Sequence, residues 1–235
     1  MKIALLGYGK MGKVIETIAL ERGHEIVLKK SSTSSFDGIE KADVAIDFSI
    51  PIAAVGNITK CFDNGIPVIC GTTGWLEDYE KIVTLCNNQN GAFIYGSNFS
   101  LGVNLFFELN NYLAKIMTQF KDYKVQMEEI HHTQKLDAPS GTAISLAKGI
   151  ITNSNYTHWT LDEPKNNEIK IDVKRIENVP GTHSISYVSN VDTIEIKHTA
   201  HNRDGFALGA VIAAEWIVGK KGIFTMQDVL QSVIQ

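Results

Sequence analysis

The densest group of reactive side chains lies in the stretch "HHTQKLDAPSGTA", which begins at His131. It contains a second imidazole, His132, and the ammonium group of Lys135. An alternating strand pattern precedes it, and its proline and serine are typical of a helix start. Backbone amides around Gly141 and Thr142 would then form an anion site at a helix N-terminus. The stretch therefore predicts a pocket that binds a dicarboxylate and handles protons.

Two other interpretations of the histidine pair have less support. A metal site would need a third ligand, and no acidic or cysteine cluster stands at a suitable spacing, so we expect no metal. A pair hydrogen-bonded at a loop surface would leave Lys135 and the Gly-Thr turn without a role. The three cysteines, Cys61, Cys70 and Cys86, show no C-x-x-C spacing and are interpreted as buried thiols in a reducing compartment.

A glycine fingerprint, G-x-G-x-x-G, is formed by Gly7, Gly9 and Gly12. It follows an apolar strand and opens a helix, which is the context that dinucleotide binding requires. The first glycine permits a tight turn, the second a close approach to pyrophosphate, and the third close packing of helix on strand. A purely structural turn is the alternative. "GTTGW" and "GSNFS" follow two later strands and are predicted to face the same crevice.

The end of the second strand bears on the choice of cofactor. An acidic residue there would bind the ribose hydroxyls of NAD, whereas this chain has Lys29 and Lys30 followed by two serines. Two ammonium groups suit a 2′-phosphate, so we expect NADPH, with NADH possible. A solvated charge pair is the competing interpretation.

The order of elements predicts an α/β protein of two domains. Strands and helices alternate to about residue 98, which indicates a Rossmann-type, doubly wound parallel sheet. Alternating strands and two helices follow, which indicates an inserted α+β domain with an open mixed sheet. We therefore assign residues 1–98 and 208–235 to dinucleotide binding, and residues 99–207 to substrate binding and oligomerisation.

The motifs together resemble the dihydrodipicolinate reductase family. They are E-x-H-H-x-x-K-x-D-A-P-S-G-T-A, the "KMG" of the fingerprint, "DFS", "GTTG" and "NFSLGVN", in order along essentially the whole chain. The resemblance implies an NAD(P)H-dependent reductase in diaminopimelate and lysine biosynthesis. It would transfer a hydride to the cyclic imine dicarboxylate 4-hydroxy-tetrahydrodipicolinate and give tetrahydrodipicolinate. It also implies a homotetramer.

The resemblance implies roles for particular residues. His131 and Lys135 would be the catalytic, proton-handling pair, and which of them protonates the product stays open. His132, Gly141 and Thr142 would bind the substrate carboxylates. Cofactor contacts would come from Gly7, Tyr8, Gly9, Lys10, Met11, Gly12, Lys29, Lys30, Gly71, Thr72, Thr73, Gly96, Ser97, Asn98, Phe99 and Arg203. The chain departs from the family in a fingerprint shorter by one residue, with lysine for arginine, and in lacking the second-strand acid.

Composition and charge restrict the remaining classes of function. The net charge of -4 gives no basic footprint for nucleic acid. No signal peptide or membrane span is visible in the 235 residues, so we expect a cytoplasmic protein. A Rossmann dehydrogenase of another type would be expected to have a catalytic cysteine or a different pattern of lysine and aspartate residues. A catalytically silent nucleotide sensor would be favoured by loss of His131 or Lys135, and both are present.

Overall fold

The computed structural model of the protein describes residues 1–202 and 204–234. The chain divides into two compact units, of which the first comprises Met1–Leu101 and resumes at Asp204, and the second begins at Gly102. The sequence places these boundaries after residue 98 and before residue 208, a few residues away at each end. Within the described ranges, no helix is long and apolar enough to cross a membrane.

Strands and helices are numbered along the chain. The strands are β1 (Lys2–Leu6), β2 (Glu25–Lys30), β3 (Val44–Asp47), β4 (Val68–Cys70), β5 (Ala92–Tyr95), β6 (Lys124–His131), β7 (His158–Thr160), β8 (Glu168–Arg175), β9 (Gly181–Val188), β10 (Thr193–Ala200) and β11 (Gly222–Phe224). The helices are α1 (Lys10–Glu21), α2 (Pro51–Asp63), α3 (Tyr79–Asn88), α4 (Leu101–Met117), α5 (Gly141–Thr152), α6 (Asp204–Ile217) and α7 (Met226–Ile234).

The first unit is built on a parallel sheet with the order β11-β5-β4-β3-β1-β2. Side chains alternate between its faces, so Ile3 and Leu5 pack with α1, α6 and α7. Their neighbours Ala4 and Leu6 pack with α2 and α3 on the other face. The strand order reverses between β1 and β3, and in such sheets ligands bind beyond the carboxyl ends of the strands at this point. The predicted doubly wound α/β fold is confirmed.

The second unit is built on a mixed sheet with the order β10-β9-β6-β8-β7. β6 is central: it runs antiparallel to β9 and parallel to β8. Met127, Ile171 and Ile185 lie on one face and pack against α4 and α5, including Phe106 and Leu146. The predicted second unit with a mixed sheet is confirmed.

Two short strands are not predicted from the sequence. β7 and β11 have three residues each, too few to show a period, and they exist because each pairs with a longer neighbour, β8 and β5 respectively. The short helix α7 follows β11 and contributes Met226 and Val229 to the core of the first unit. Tertiary pairing, not local preference, makes the two short strands.

Candidate functional site

The histidine stretch of the second unit starts at the carboxyl end of β6. Glu129 and His131 alternate in register with the buried Met127 and therefore lie on the helix-covered face. Across the sheet, Glu129 pairs with His183 of β9, and His131 pairs with Arg175 of β8. The sheet register thus gathers a carboxylate, two imidazoles and a guanidinium at one place.

Glu129 is the centre of this cluster and is fully buried, at 0% exposure. Its Oε2 accepts a hydrogen bond from the Ser140 amide at 2.9 Å, and both terminal nitrogens of Arg175 donate to its Oε1 at 3.3 Å. His183 Nε2 lies 3.7 Å from Oε2, and His131 Nδ1 lies 3.8 Å from Oε1. The two imidazole rings meet edge to face with centroids 5.1 Å apart. Every oxygen of the buried carboxylate therefore has a polar neighbour.

The environment fixes the charge states of two groups. Burial pushes the pKa of Glu129 upward, but its interactions with His183 and Ser140 outweigh this and hold the pKa at about 2. Burial, together with the neighbouring His183, lowers the pKa of His131 to about 4, although Glu129 opposes the shift. At neutral pH, Glu129 is therefore an anion and His131 a neutral imidazole.

Lys135 lies on the loop between β6 and α5. Its Nζ contacts both carboxylate oxygens of Asp137 at 2.8 Å, and this ammonium lowers the pKa of Asp137. Arg175 fastens the same loop by donating from Nε to the Lys135 carbonyl at 3.3 Å and from a terminal nitrogen to the Asp137 carbonyl at 2.7 Å. The backbone of the loop is thus attached to the sheet, while the Lys135 ammonium pairs with the exposed carboxylate of Asp137.

The helix start that the sequence predicts is present at α5. Ser140 is the N-cap: its hydroxyl accepts from the Ala143 amide at 3.2 Å and lies 3.1 Å from His183 Nε2. The amides of Gly141 and Thr142 stand in the first turn, where helix geometry supplies no intrahelical acceptor. A Cβ built at Gly141 would meet nothing within 4 Å, so the backbone there is open to a ligand.

His132 follows the end of β6 and is partly buried. Its Nδ1 atom is buried without a hydrogen-bond partner among the described residues, as is His131 Nδ1. Buried polar atoms of this kind need an explanation, and a bound ligand or water is one.

The cluster around Glu129 has the spacing of a metal site, but the charges that surround it do not suit a cation. Ligand atoms of Glu129, His131 and His183 lie within 4.8 Å of one another, an arrangement that spacing along the chain does not reveal. However, Arg175 and the Ser140 amide already bind both oxygens of Glu129. A divalent cation would be placed beside a guanidinium and repelled by it. We interpret the cluster as a hydrogen-bonded charge network.

In the first unit, the glycine turn joins β1 to α1. Gly7 has a φ of +95°, and a Cβ there would lie 2.2 Å from the Phe48 carbonyl oxygen. A Cβ at Gly12 would lie 2.5 Å from the Gly7 carbonyl oxygen, whereas one at Gly9 would meet nothing within 4 Å. Gly9 is also the N-cap of α1 and makes no side-chain cap. Two glycines are thus required by the protein itself, and Gly9 faces open space at an uncapped helix end.

The turn after β4 differs from the expectation in the direction of one side chain. Thr72 is buried, and its hydroxyl donates to the buried Asp47 carboxylate at 2.9 Å and accepts from the Ser49 amide at 2.8 Å. This hydroxyl is therefore engaged inside the fold, whereas Thr73 is exposed. Gly71 has no room for a Cβ, which would lie 2.3 Å from the Phe48 ring.

In the turn after β5, some side chains are likewise engaged inside the fold while others are accessible. Phe99 is buried and packs on Phe48 with ring centroids 5.8 Å apart, so its side chain belongs to the core rather than to a binding surface. The Asn98 side chain accepts from the Ser100 amide at 2.9 Å and shapes the turn. Gly96 and Asn98 are partly exposed and Ser97 is exposed, so these residues of the turn are accessible to a ligand. Arg203 lies outside the described residues.

The two lysines of β2 stand beside the glycine turn, because the Lys30 carbonyl accepts from the amides of Gly7 and Tyr8 at 3.0 Å. Lys29 forms an ion pair with Glu16 of α1 at 2.5 Å. Tyr8 donates its hydroxyl to the same carboxylate. Lys30 donates to backbone carbonyls, including that of Ser34 at 3.0 Å. Sequence reasoning missed Glu16, whose position on α1 gives no signal of its own.

Comparison with known proteins identifies the family. Residues 1–99 match the profile described as "Dihydrodipicolinate reductase, N-terminus", and residues 102–230 match "Dihydrodipicolinate reductase, C-terminus". The chain belongs to the dihydrodipicolinate reductase family. Members of this family are NAD(P)H-dependent oxidoreductases of the lysine and diaminopimelate pathway, and they use a pyridine nucleotide cofactor.

Individual members of the dihydrodipicolinate reductase family show how far the likeness extends. A protein of Christiangramia forsetii named 4-hydroxy-tetrahydrodipicolinate reductase is 56% identical over 238 aligned residues, which cover 100% of both chains. A protein of the same name from Methanoregula boonei is 36% identical over 88% of this chain and 82% of its own. The solved structure of the dipicolinate-bound dihydrodipicolinate reductase of Paenisporosarcina sp. TG-14 matches with a TM-score of 0.75 at 21% identity, over 96% of this chain and 97% of that one. The last match supports the fold.

Proposed function

We propose that the chain transfers a hydride from NADPH, and less readily from NADH, to 4-hydroxy-tetrahydrodipicolinate. The first unit would hold the nucleotide and the second the substrate. One observation carries the assignment of sites: the sheet register and the Ser140 cap bring His131, the Lys135 loop and the α5 N-terminus together within the second unit. The bound nucleotide would supply the hydride, and the residues below bind, orient and handle protons.

The substrate carboxylates would bind at the first turn of α5. The amides of Gly141 and Thr142 supply donors and the positive end of the helix dipole, and His132 directly follows the preceding strand β6. A dicarboxylate suits this combination, and dipicolinate, which the Paenisporosarcina protein binds, is a dicarboxylate of the same kind. The buried Nδ1 of His132, for which the described part of the chain offers no hydrogen-bond partner, is a candidate donor for it.

Proton handling would fall to His131 and Lys135. Because His131 is neutral at pH 7, it can hydrogen-bond the substrate or relay a proton without carrying charge into the pocket. Lys135 carries an ammonium paired with the exposed Asp137, and it could leave this partner for the substrate as negative charge develops on the ring. Of the two groups, the Lys135 ammonium is the one that already carries the extra proton that a general acid donates.

The nucleotide would bind across the ends of β1, β4 and β5. The uncapped N-terminus of α1 at Gly9 would receive the pyrophosphate, with Tyr8, Lys10 and Met11 in the same turn. Thr73, Gly96 and Ser97 are the accessible parts of the later turns. Lys29 and Lys30 would face the 2′-phosphate of NADPH, and this supports the preference for NADPH.

We also infer a homotetramer built through the second unit, in the cytoplasm. β10 is an edge strand with mostly exposed residues. Leu109 and Tyr112 of α4 and Phe120, which follows this helix, are each exposed at 53% or more. Uncovered edges and apolar helix faces favour association. The three cysteines are free and buried thiols, the form in which a reducing compartment keeps them. Light scattering should give four times the chain mass of 25.9 kDa; a mass of one chain would contradict the tetramer.

The decisive assay is oxidation of NADPH by the purified protein. The substrate would be made in place by a synthase from pyruvate and aspartate semialdehyde, with a parallel run using NADH. Substrate-dependent oxidation is expected with both cofactors, faster with NADPH. Tight NADPH binding without oxidation would instead indicate a nucleotide sensor.

Lys135→Ala tests the division of roles between the units. It should lower kcat by about 100-fold or more, because general acid catalysis typically contributes this much. The dissociation constant of NADPH, measured by cofactor fluorescence, should stay unchanged, because the proposed nucleotide contacts belong to the first unit. A comparable loss of NADPH affinity would contradict the assigned roles. Lys148→Ala, which removes an exposed lysine from α5, is the matched control.

A further inference from the structure

The fully buried carboxylate of Glu129 is not explained by the stability of the fold. A buried charge must recover a large desolvation cost, and a well-packed apolar residue often stabilises such a position as well or better. Met127, two residues earlier on the same face of β6, shows that an apolar side chain packs well in this environment. The reason for a buried carboxylate at this position must therefore lie in the groups that Glu129 contacts.

Each neighbour of Glu129 connects it to a different part of the proposed site. Through the Ser140 amide at 2.9 Å it fixes the N-cap residue of α5, which directly precedes the first-turn amides. Through Arg175 it reaches the loop of Lys135, since the same guanidinium binds Glu129 and the carbonyls of Lys135 and Asp137. One carboxylate thus holds the anion-binding helix end and the backbone of the proton-donating loop.

The third connection is to His131. Its Nδ1 has no hydrogen-bond partner among the described residues and lies 3.8 Å from Glu129 Oε1, so a small rotation of the ring would make the bond. The opposite ring nitrogen, Nε2, faces Gly181, where a Cβ would lie only 3.1 Å away. With Nδ1 protonated toward Glu129, Nε2 is left with a free lone pair.

We propose that Glu129 is a positioning residue for the reduction, whose single carboxylate aligns His131, the Lys135 loop and the N-terminus of α5. The proposal rests on the roles assigned to those groups above. It predicts that the negative charge, and not only the shape of the side chain, is needed for turnover.

The electrostatics around His131 support this role. Facing it are Glu129 from its own strand, Arg175 from β8, His183 from β9 and Lys135 from the loop. Glu129 is the one carboxylate among these groups, and it is the one that favours a proton on His131. Because the pKa of His131 is about 4, the effect at neutral pH is on which ring nitrogen carries the single proton.

The test is Glu129→Gln, which keeps the shape and removes the charge. Loosened alignment should lower kcat by about 100-fold. The dissociation constant of NADPH should change by less than about twofold, because the proposed nucleotide contacts belong to the first unit and Glu129 belongs to the second. Glu128→Gln is the matched control, since this neighbour points to the other face of the sheet and pairs with Lys174. It should retain the parent kcat.

Two readouts separate positioning from a structural role. Glu129→Asp keeps the charge and should recover part of the lost kcat, and nitrogen NMR of histidine-labelled protein should show His131 protonated at Nδ1 in the parent but not in Glu129→Gln. Equal inactivity of both variants with an unchanged His131 tautomer would overturn the proposal. So would an active parent whose Glu129→Gln variant turns over equally well. An inactive parent would overturn the proposed function itself.

Arg175→Lys is the second variant, should Glu129→Gln fail to fold. It keeps a cation near Glu129 but loses the planar fork that also binds the loop carbonyls. We expect a lower kcat at unchanged NADPH affinity. An unchanged kcat would overturn the proposal.

Discussion

At the scale of single residues, the three fingerprint glycines have different reasons to be glycine. Gly7 and Gly12 would place a Cβ against backbone oxygens at 2.2 Å and 2.5 Å, so the fold requires them. Gly9 has no such neighbour, and its backbone is not left-handed. The fold alone would tolerate alanine at Gly9, and its lack of a side chain is best explained by a ligand that comes close.

This difference predicts opposite outcomes for two alanine variants. Gly9→Ala should keep the parent stability but weaken NADPH binding by about tenfold, which corresponds to roughly 1.4 kcal/mol. Gly7→Ala should lower the free energy of unfolding by more than about 1 kcal/mol, because alanine at positive φ is strained and its methyl group meets Phe48. Thermal unfolding and cofactor fluorescence measure the two effects. Normal NADPH affinity in a folded Gly9→Ala protein would remove Gly9 from the nucleotide site.

At the scale of elements, pairing between α1 and β2 changes what the second-strand lysines can do. Glu16 of α1 neutralises Lys29 and also accepts from Tyr8 of the glycine turn. The family pattern has an acidic residue on the second strand, and here a carboxylate arrives instead from the helix. A 2′-phosphate at Lys29 would have to compete with Glu16.

Glu16→Gln should therefore strengthen NADPH binding. Release of Lys29 from a partly exposed ion pair is expected to lower the KM for NADPH by about two- to fivefold. The KM for NADH should change less, because NADH has no phosphate to gain. Glu21→Gln, which removes the same charge farther along α1, is the control. An equal change for both cofactors would show that Glu16 does not act through the 2′-phosphate.

At the scale of the whole molecule, the buried network of the second unit links stability to pH. His131 titrates near 6.5 when unfolded, but burial and His183 lower its pKa to about 4 in the fold. Between these values the unfolded chain binds a proton that the folded chain does not. The contribution to stability is therefore complete above pH 6.5 and is lost as the pH falls toward 4. Glu129, with a pKa of about 2, adds a second loss that begins below about pH 4.5.

The corresponding prediction concerns urea unfolding between pH 7 and pH 4.5. The parent should lose roughly 3 kcal/mol or less from His131 over the full window, at 1.36 kcal/mol per pKa unit. His131→Asn should unfold with a shallower pH dependence, whatever its absolute stability. Equal slopes for the parent and His131→Asn would mean that His131 is not held neutral by the fold.

The sequence by itself determined the fold class and the family, and it predicted the site residues. The apolar run of β1 and the alternation of β6 are local patterns, and the glycine fingerprint and the "HHTQKLDAPSGTA" stretch are short-range spacings. Local periodicity and turn chemistry are enough to read such features, because they depend on residues within a few positions of one another.

Only the tertiary structure decided how those residues are arranged and held. Glu129 meets Arg175, 46 positions away, and Ser140 meets His183, 43 positions away, because β6 pairs with β8 on one side and β9 on the other. The inward turn of Thr72 and the pairing of Lys29 with Glu16 likewise depend on contacts between elements. Strand register sets these contacts, and a shift of one residue would reverse the face of every side chain. No pattern within a single segment of this chain encodes that choice.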